Sequence, residues 1–138
     1  MSTERPDVKR VLIVDDHQLT RSEMVQMLRR APGLDVVAEA ASGEEAVEAA
    51  RRVRPEVVVM DILLPAMNGI EATRAIIAER GATRIVALSN HSGPNVVKAF
   101  LEAGGLGYVR KDYAFEELLP AIRSILEQKL FLGTGVME

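Results

Sequence analysis

Polar side chains able to do chemistry stand just beyond the ends of short apolar runs. Asp15 and Asp16 follow Val11-Leu12-Ile13-Val14, Asp61 follows Val57-Val58-Val59-Met60, and Ser89 follows Ile85-Val86-Ala87-Leu88, while Lys111 comes shortly after Gly107-Tyr108-Val109. Three carboxylates gathered at one place repel one another, by about 4 kcal/mol per pair at 4 Å for an effective dielectric of ~20. A divalent cation relieves that repulsion. Mg²⁺ suits the set best, because it takes oxygen ligands in octahedral geometry and keeps several waters, with Mn²⁺ as the alternative. An aspartate beside such an ion can act as a nucleophile toward phosphorus. The charge that spreads over the transferred group then calls for a cation and a hydrogen-bond donor, which Lys111 and Ser89 supply.

The elements that must position these residues alternate along the chain. The three central runs are short and rich in β-branched residues, as strands buried on both faces of a parallel sheet are. Val36 to Ala40, which admits Glu39, and Gly107 to Val109 have the weaker patterns of sheet edges. Helical spacing separates them. Met24, Met27, Leu28 and Ala31 form one apolar stripe, closed by Pro32-Gly33. Ser42 with Glu45, and Asn68 with Glu71, read as capping boxes that open the next two helices, whose stripes are Ala46, Ala49, Ala50, Val53 and Ile70, Thr73, Ile77. Gly81 reads as the third helix's stop. Pro94 suits a first helical turn, ahead of Val97, Phe100 and Leu101. Phe115, Leu118, Leu119, Ile122 and Leu126 make the last stripe, in which Pro120 predicts a late start or a kink.

The summed pattern is an α/β fold with five strand-helix repeats. Parallel neighbours need right-handed helical crossovers, so helices must cover both faces of the sheet. The flavodoxin-like order 2-1-3-4-5, a three-layer sandwich, fits three central strands and two edges, and its ligands bind beyond the carboxyl ends of the strands. Residues 1–128 are read as one domain, and 129–138, without periodicity, as a tail or the start of a linker to an absent effector domain.

Bulk properties narrow the function. The chain has 138 residues, of which 48% are hydrophobic, enough for one core. It has no cysteine, so a disulfide framework, a thiolate site and a cysteine nucleophile are excluded. His17 and His91 are too few for an imidazole-rich site, and His17 is read as a helix-start residue rather than a ligand. No apolar run approaches the roughly 18 residues of a membrane span, so a cytoplasmic location without a membrane partner is expected. A net charge of -3 gives no surplus for gripping phosphate backbones, so any DNA binding belongs to a separate domain.

From about Lys9 to Leu126 the sequence resembles a receiver domain of two-component response regulators. Four motifs carry the likeness: Val-Asp15-Asp16, Asp61-Ile-Leu-Leu-Pro65-Ala-Met-Asn68-Gly69, Leu-Ser89, and Gly-Tyr108-Val-Arg-Lys111-Asp112. The absence of proline after Lys111, with Leu-Ser89-Asn90-His91, looks most like receivers of LuxR, NarL and FixJ-type transcriptional regulators. The resemblance implies that Asp61 is the phosphoacceptor and receives its phosphoryl group from a sensor histidine kinase. It implies that Asp16 and Asp61 ligate Mg²⁺, Asp15 acts through water, and the backbone carbonyl of Leu63 completes the protein ligands. Ser89 and Lys111 would contact the phosphoryl group, and Tyr108 would change rotamer as Ser89 moves. The domain would be no enzyme beyond promoting its own phosphorylation and dephosphorylation, and would form a homodimer on phosphorylation. Leu64 before Pro65, a mild volume-conserving change, and Asn90 after Ser89, which would narrow access for phosphodonors, depart from the commonest pattern. Leu63 and His91 flank the expected phosphoryl site and leave the lifetime of the phosphate open.

Rival readings make distinguishable demands. An aspartate-nucleophile phosphatase of the haloacid dehalogenase type wants an acid two residues after its nucleophile, where Leu63 stands. A flavodoxin relative wants a hydroxyl-rich phosphate loop after the first strand, and Asp15-Asp16-His17 is none. A stand-alone or phosphorylation-independent receiver that regulates by protein binding is the remaining alternative, and the intact Asp16, Asp61, Ser89 and Lys111 set argues against it.

Overall fold

The apolar runs form a parallel sheet whose side chains divide cleanly between two cores. The structure, a computed structural model, describes residues 7–138. Strands β1 (Lys9–Val14), β2 (Leu34–Ala40), β3 (Val57–Met60), β4 (Arg84–Ser89), β5 (Gly107–Arg110) and β6 (Phe131–Leu132) alternate with helices α1 (Gln18–Arg29), α2 (Gly43–Val53), α3 (Gly69–Glu79), α4 (Pro94–Glu102) and α5 (Ala114–Leu126). Their order in the sheet is β2-β1-β3-β4-β5-β6. The expected flavodoxin-like order is present, with one strand added at the β5 edge.

Period-two alternation along each strand decides which core a side chain enters. Leu12, Val14, Val58, Met60, Ile85, Ala87 and Tyr108 face one way and pack with residues of α2, α3 and α4. Val11, Ile13, Val57, Val59, Val86, Leu88 and Val109 face the other way, against α1 and α5. Both faces of the central strands are therefore dry, which is why those runs carry no polar residue.

The helix starts follow their sequence signals with one variation. Asn68 and Glu71 form a complete capping box at α3. At α2, Ser42 Oγ accepts from the Glu45 amide at 3.1 Å, but the Glu45 carboxylate accepts from the Ala41 amide at 2.9 Å instead of that of Ser42. Helix α3 ends at Glu79 with Arg80 as its cap, so Gly81 is the first residue past the cap, where a stop glycine is expected.

Helix α5 differs more. It starts at Ala114, directly after a 3-10 turn at Lys111–Tyr113, and continues through Pro120 without the late start that residue implied. Pro120 lies on the exposed side, where the carbonyl it leaves without a partner can be hydrated. Burial of Leu118, Ala121, Ile122 and Ile125 holds the helix. Phe115, assigned to the buried stripe from its spacing, is 66% exposed instead.

Residues 129–138 also do more than their composition suggested. β6 pairs in parallel with β5, Gly107 opposite Phe131 and Tyr108 opposite Leu132. Val136 is buried in the same core as Tyr108. Two residues are too few for any periodicity to show, so no sequence pattern marks this strand. No helix among the described residues is long and apolar enough to cross a membrane.

Candidate functional site

The carboxyl ends of β1 and β3 bring the acidic residues together. Each strand is anchored on its neighbour at that end: the Asp15 amide donates to the Ala40 carbonyl at 3.0 Å, and the Asp61 amide to the Val14 carbonyl at 3.0 Å. One ligand atom each from Asp15, Asp16, His17 and Asp61 lies within 4.8 Å of the others. Asp15 and Asp61 are buried, at 3% exposure each, while Asp16 faces solvent.

Lys111, carried in by the turn after β5, reaches across the sheet end. Its Nζ lies 3.1 Å from Asp15 Oδ2 and 3.2 Å from Asp61 Oδ2. One ammonium thus serves two buried carboxylates. Burial works against the charge on Lys111, yet Asp61 and Asp15 outweigh it and its pKa ends above the usual lysine value. For Asp61 burial wins: its carboxyl is pushed up to about 6, with Asp15 adding to the rise, while Lys111 and the Leu63 amide oppose it. That amide donates to Asp61 Oδ1 at 3.2 Å. The remaining lone pairs on a carboxylate that is costly to ionise are what a hard cation would take.

The donor set fits such an ion. The 4.8 Å spread compares with the ~4 Å between opposite ligands of Mg²⁺, and the carboxylate oxygens are the hard donors it prefers. His17 sits at the N-cap of α1, as expected of a helix-start residue, without a side-chain capping bond. The structure adds a feature that sequence reading passed over: its Nδ1 lies 3.2 Å from Asp16 Oδ1 and 3.4 Å from Asp15 Oδ1. Only the adjacency of the histidine to the aspartates could have signalled it.

Gly69, the last residue of the motif after β3, has a steric role that its place in the sequence does not by itself reveal. A Cβ there would stand 2.1 Å from the Asp61 carbonyl oxygen, because the start of α3 presses on the backbone just after β3. Its amide donates to the Ile62 carbonyl at 2.9 Å, which closes the loop that leaves the strand preceding Asp61. The Asn-Gly pair was the available signal.

Ser89 ends β4 with 1% exposure, and its Oγ accepts from the His91 amide at 3.0 Å. Its hydroxyl can still act as a donor, and it lies within hydrogen-bond reach of the Tyr108 hydroxyl. Tyr108 is fully buried, its ring edge-on to Phe100 with centroids 5.6 Å apart, and its hydroxyl donates to the His91 carbonyl. Burial pushes the Tyr108 phenol above its ordinary value, which keeps it a proton donor. Leu63 stands at the rim, its side chain 56% exposed.

Comparisons with known proteins agree with this arrangement. The chain is 35% identical over 129 residues to the response regulator GacA of Pseudomonas viridiflava, covering 94% of this chain and 60% of that protein. Thus it spans about three fifths of that relative's length. Among solved structures, a LuxR-family two-component response regulator from Aurantimonas sp. SI85-9A1 superposes with a TM-score of 0.89 at 40% identity, over 94% of this chain and 92% of that one. The signal receiver domain of the putative response regulator NarL from Mycobacterium tuberculosis gives a TM-score of 0.84 at 30% identity, over 90% of this chain and 100% of that one. Residues 11–123 match the model of the response regulator receiver domain, and with the acidic cluster and its lysine in place, the chain belongs to that family.

Proposed function

We propose that this domain is a phosphoacceptor switch in which the Asp61 carboxylate attacks the phosphorus of a donor and becomes an aspartyl phosphate. The observation that carries the reading is Asp61 itself. It is a buried carboxylate at the end of a central strand, bonded to one lysine and packed beside a second buried acid. The attack forms one oxygen-phosphorus bond as the bond to the leaving group breaks and its electron pair departs with that group.

The other residues take roles that their positions support. Asp16 and Asp61 would ligate Mg²⁺, with Asp15 acting through water and the Leu63 carbonyl as a further ligand. Mg²⁺, when bound, offsets the carboxylate charge and the negative charge of the incoming group. Lys111 would pass from Asp61 to the phosphoryl oxygens, and Ser89 would donate its hydroxyl proton to one of them. The acid that turnover of free phosphate esters would use two residues after the nucleophile is replaced by Leu63, which supports a domain that promotes only its own phosphorylation and dephosphorylation. Moving such a domain from mostly inactive to mostly active requires ~5.5 kcal/mol of differential stabilisation, a size these charge-assisted contacts can supply.

A sensor histidine kinase is the donor this chemistry implies. The likeness to a LuxR-family regulator supports a transcriptional output through a DNA-binding domain outside the chain, with homodimerisation on phosphorylation as its trigger. The direct test is incubation with Mg²⁺ and acetyl phosphate, followed by intact mass measurement. One added phosphoryl mass is expected, absent in Asp61→Asn and absent with a chelator. Incorporation that persists in Asp61→Asn would remove Asp61 from its role.

A further inference from the structure

The last eight residues are fastened to the one loop that must move if Ser89 turns toward a phosphoryl group. The Phe131 amide donates to the Leu106 carbonyl at 3.1 Å and the Gly133 amide to the Tyr108 carbonyl at 2.9 Å, which lays β6 along the β5 edge. Beyond it the chain crosses the sheet end. The Met137 amide donates to the Ser92 carbonyl at 2.7 Å, and the Ser92 hydroxyl donates to the Gly135 carbonyl at 3.3 Å. Thr134 is held by Glu117 of α5, its amide donating to the carboxylate at 3.0 Å. Val136, 8% exposed, enters the core that contains Tyr108 and Phe100.

Ser92 is three residues from Ser89, and the loop between them is a single bonded unit. The His91 amide donates to Ser89 Oγ, and the His91 carbonyl accepts from the Tyr108 hydroxyl. Tyr108 is therefore gripped at both ends, its hydroxyl by this loop and its carbonyl by Gly133. The Ser92 carbonyl that holds Met137 thus belongs to the same loop as the His91 amide that holds Ser89. The fastening is short. The strand has two residues, and Leu130 and Leu132 on either side of Phe131 are 55% and 41% exposed, so the apolar anchors to be released are Phe131, Val136 and Met137.

We propose that Phe131–Glu138 is a strap whose docking on the β5 edge and the β4–α4 loop opposes the phosphorylated state, and that phosphorylation of Asp61 releases it. Release uncovers the Leu106 and Tyr108 carbonyls on the β5 edge and frees whatever chain continues past Glu138. This rests on Asp61 being the phosphoacceptor. It adds a direction of coupling between the two ends of the domain. Because such coupling is reciprocal, a strap that phosphorylation loosens must itself weaken the binding of a phosphoryl mimic by the same factor.

The test is amide hydrogen exchange on the whole chain with Mg²⁺, with and without beryllofluoride as the phosphoryl stand-in. The Gly133 and Met137 amides are expected to exchange about tenfold faster or more once the adduct forms, while amides of β1 and β3 stay protected. Val136→Asp, which undocks the strap, is expected to bind beryllofluoride more tightly than the unaltered chain by a matching factor. An adduct that leaves the Gly133 and Met137 amides unchanged, or slows them, overturns the strap and leaves the phosphoacceptor reading standing. Failure of any adduct to form sinks both. A Val136→Asp protein that folds but binds the mimic no better also overturns the strap, and if that variant does not fold, exchange in the unaltered chain decides alone.

Discussion

Asp61→Asn should make the protein more stable at neutral pH while destroying its chemistry. The Asp61 carboxyl sits at about 6 in the folded protein against an ordinary 3.8, with burial as the main cause. Ionising it there costs about 3 kcal/mol of folding stability. The folded value lies above the unfolded one, so the native state holds the proton more tightly. Stability from this group is complete below about pH 4 and is lost as the pH rises through about 6. Asn has the same shape and no proton to lose. The stability gap between variant and parent should therefore be near zero at about pH 4 and open to about 3 kcal/mol by pH 7.5, equivalent to about 10 °C in Tm. The chain has no tryptophan, so urea unfolding in the presence of a chelator is best followed by far-UV circular dichroism. Millimolar Mg²⁺ should close the gap, because only the parent's native state gains by binding it. A variant no more stable than the parent at pH 7.5, or a gap that does not change with pH, would refute the account of Asp61 as a carboxylate held at electrostatic cost.

Lys111→Met removes the ammonium that bridges Asp15 and Asp61, and should destabilise the metal-free protein by about 3 kcal/mol with recovery on adding Mg²⁺, read by the same denaturation. Gly69→Ala puts a methyl 2.1 Å from the Asp61 carbonyl oxygen, where only backbone can yield. It should cost more than about 2 kcal/mol and slow acetyl phosphate labelling, because it displaces the strand end that carries Asp61. Thr73 is fully buried and its hydroxyl lacks a partner, so Thr73→Val should raise stability by about 1 kcal/mol with labelling unchanged.

Helix α5 shows where local pattern and tertiary packing part. Spacing placed Phe115 on the apolar stripe, but the helix enters from a 3-10 turn that sets its rotation, and Ala114, Leu118, Ala121, Ile122 and Ile125 face the sheet. Pro120 argued against a helix starting at 114, and burial of that stripe outweighed the local cost. Both outcomes depend on what lies opposite the helix, and no window of sequence contains that.

The sequence by itself determined the layers and which polar residues stand at the strand ends. Strands dry on both faces must be uniformly apolar, capping residues mark helix starts, and a parallel sheet puts strand-end polar residues on one edge, so Asp15, Asp16, Asp61, Ser89 and Lys111 were legible as a set. Tertiary structure alone decided the balance among them. Lys111 bridges two carboxylates because the turn after β5 aims it inward, and Asp61 is hard to ionise because β1, β3 and α3 exclude water around it. The approach of His17 to Asp16 and the fastening of 131–138 to Ser92 likewise join residues by geometry. Periodicity records how a residue meets its own helix or strand, whereas charge balance and edge pairing are set by neighbours distant in the chain.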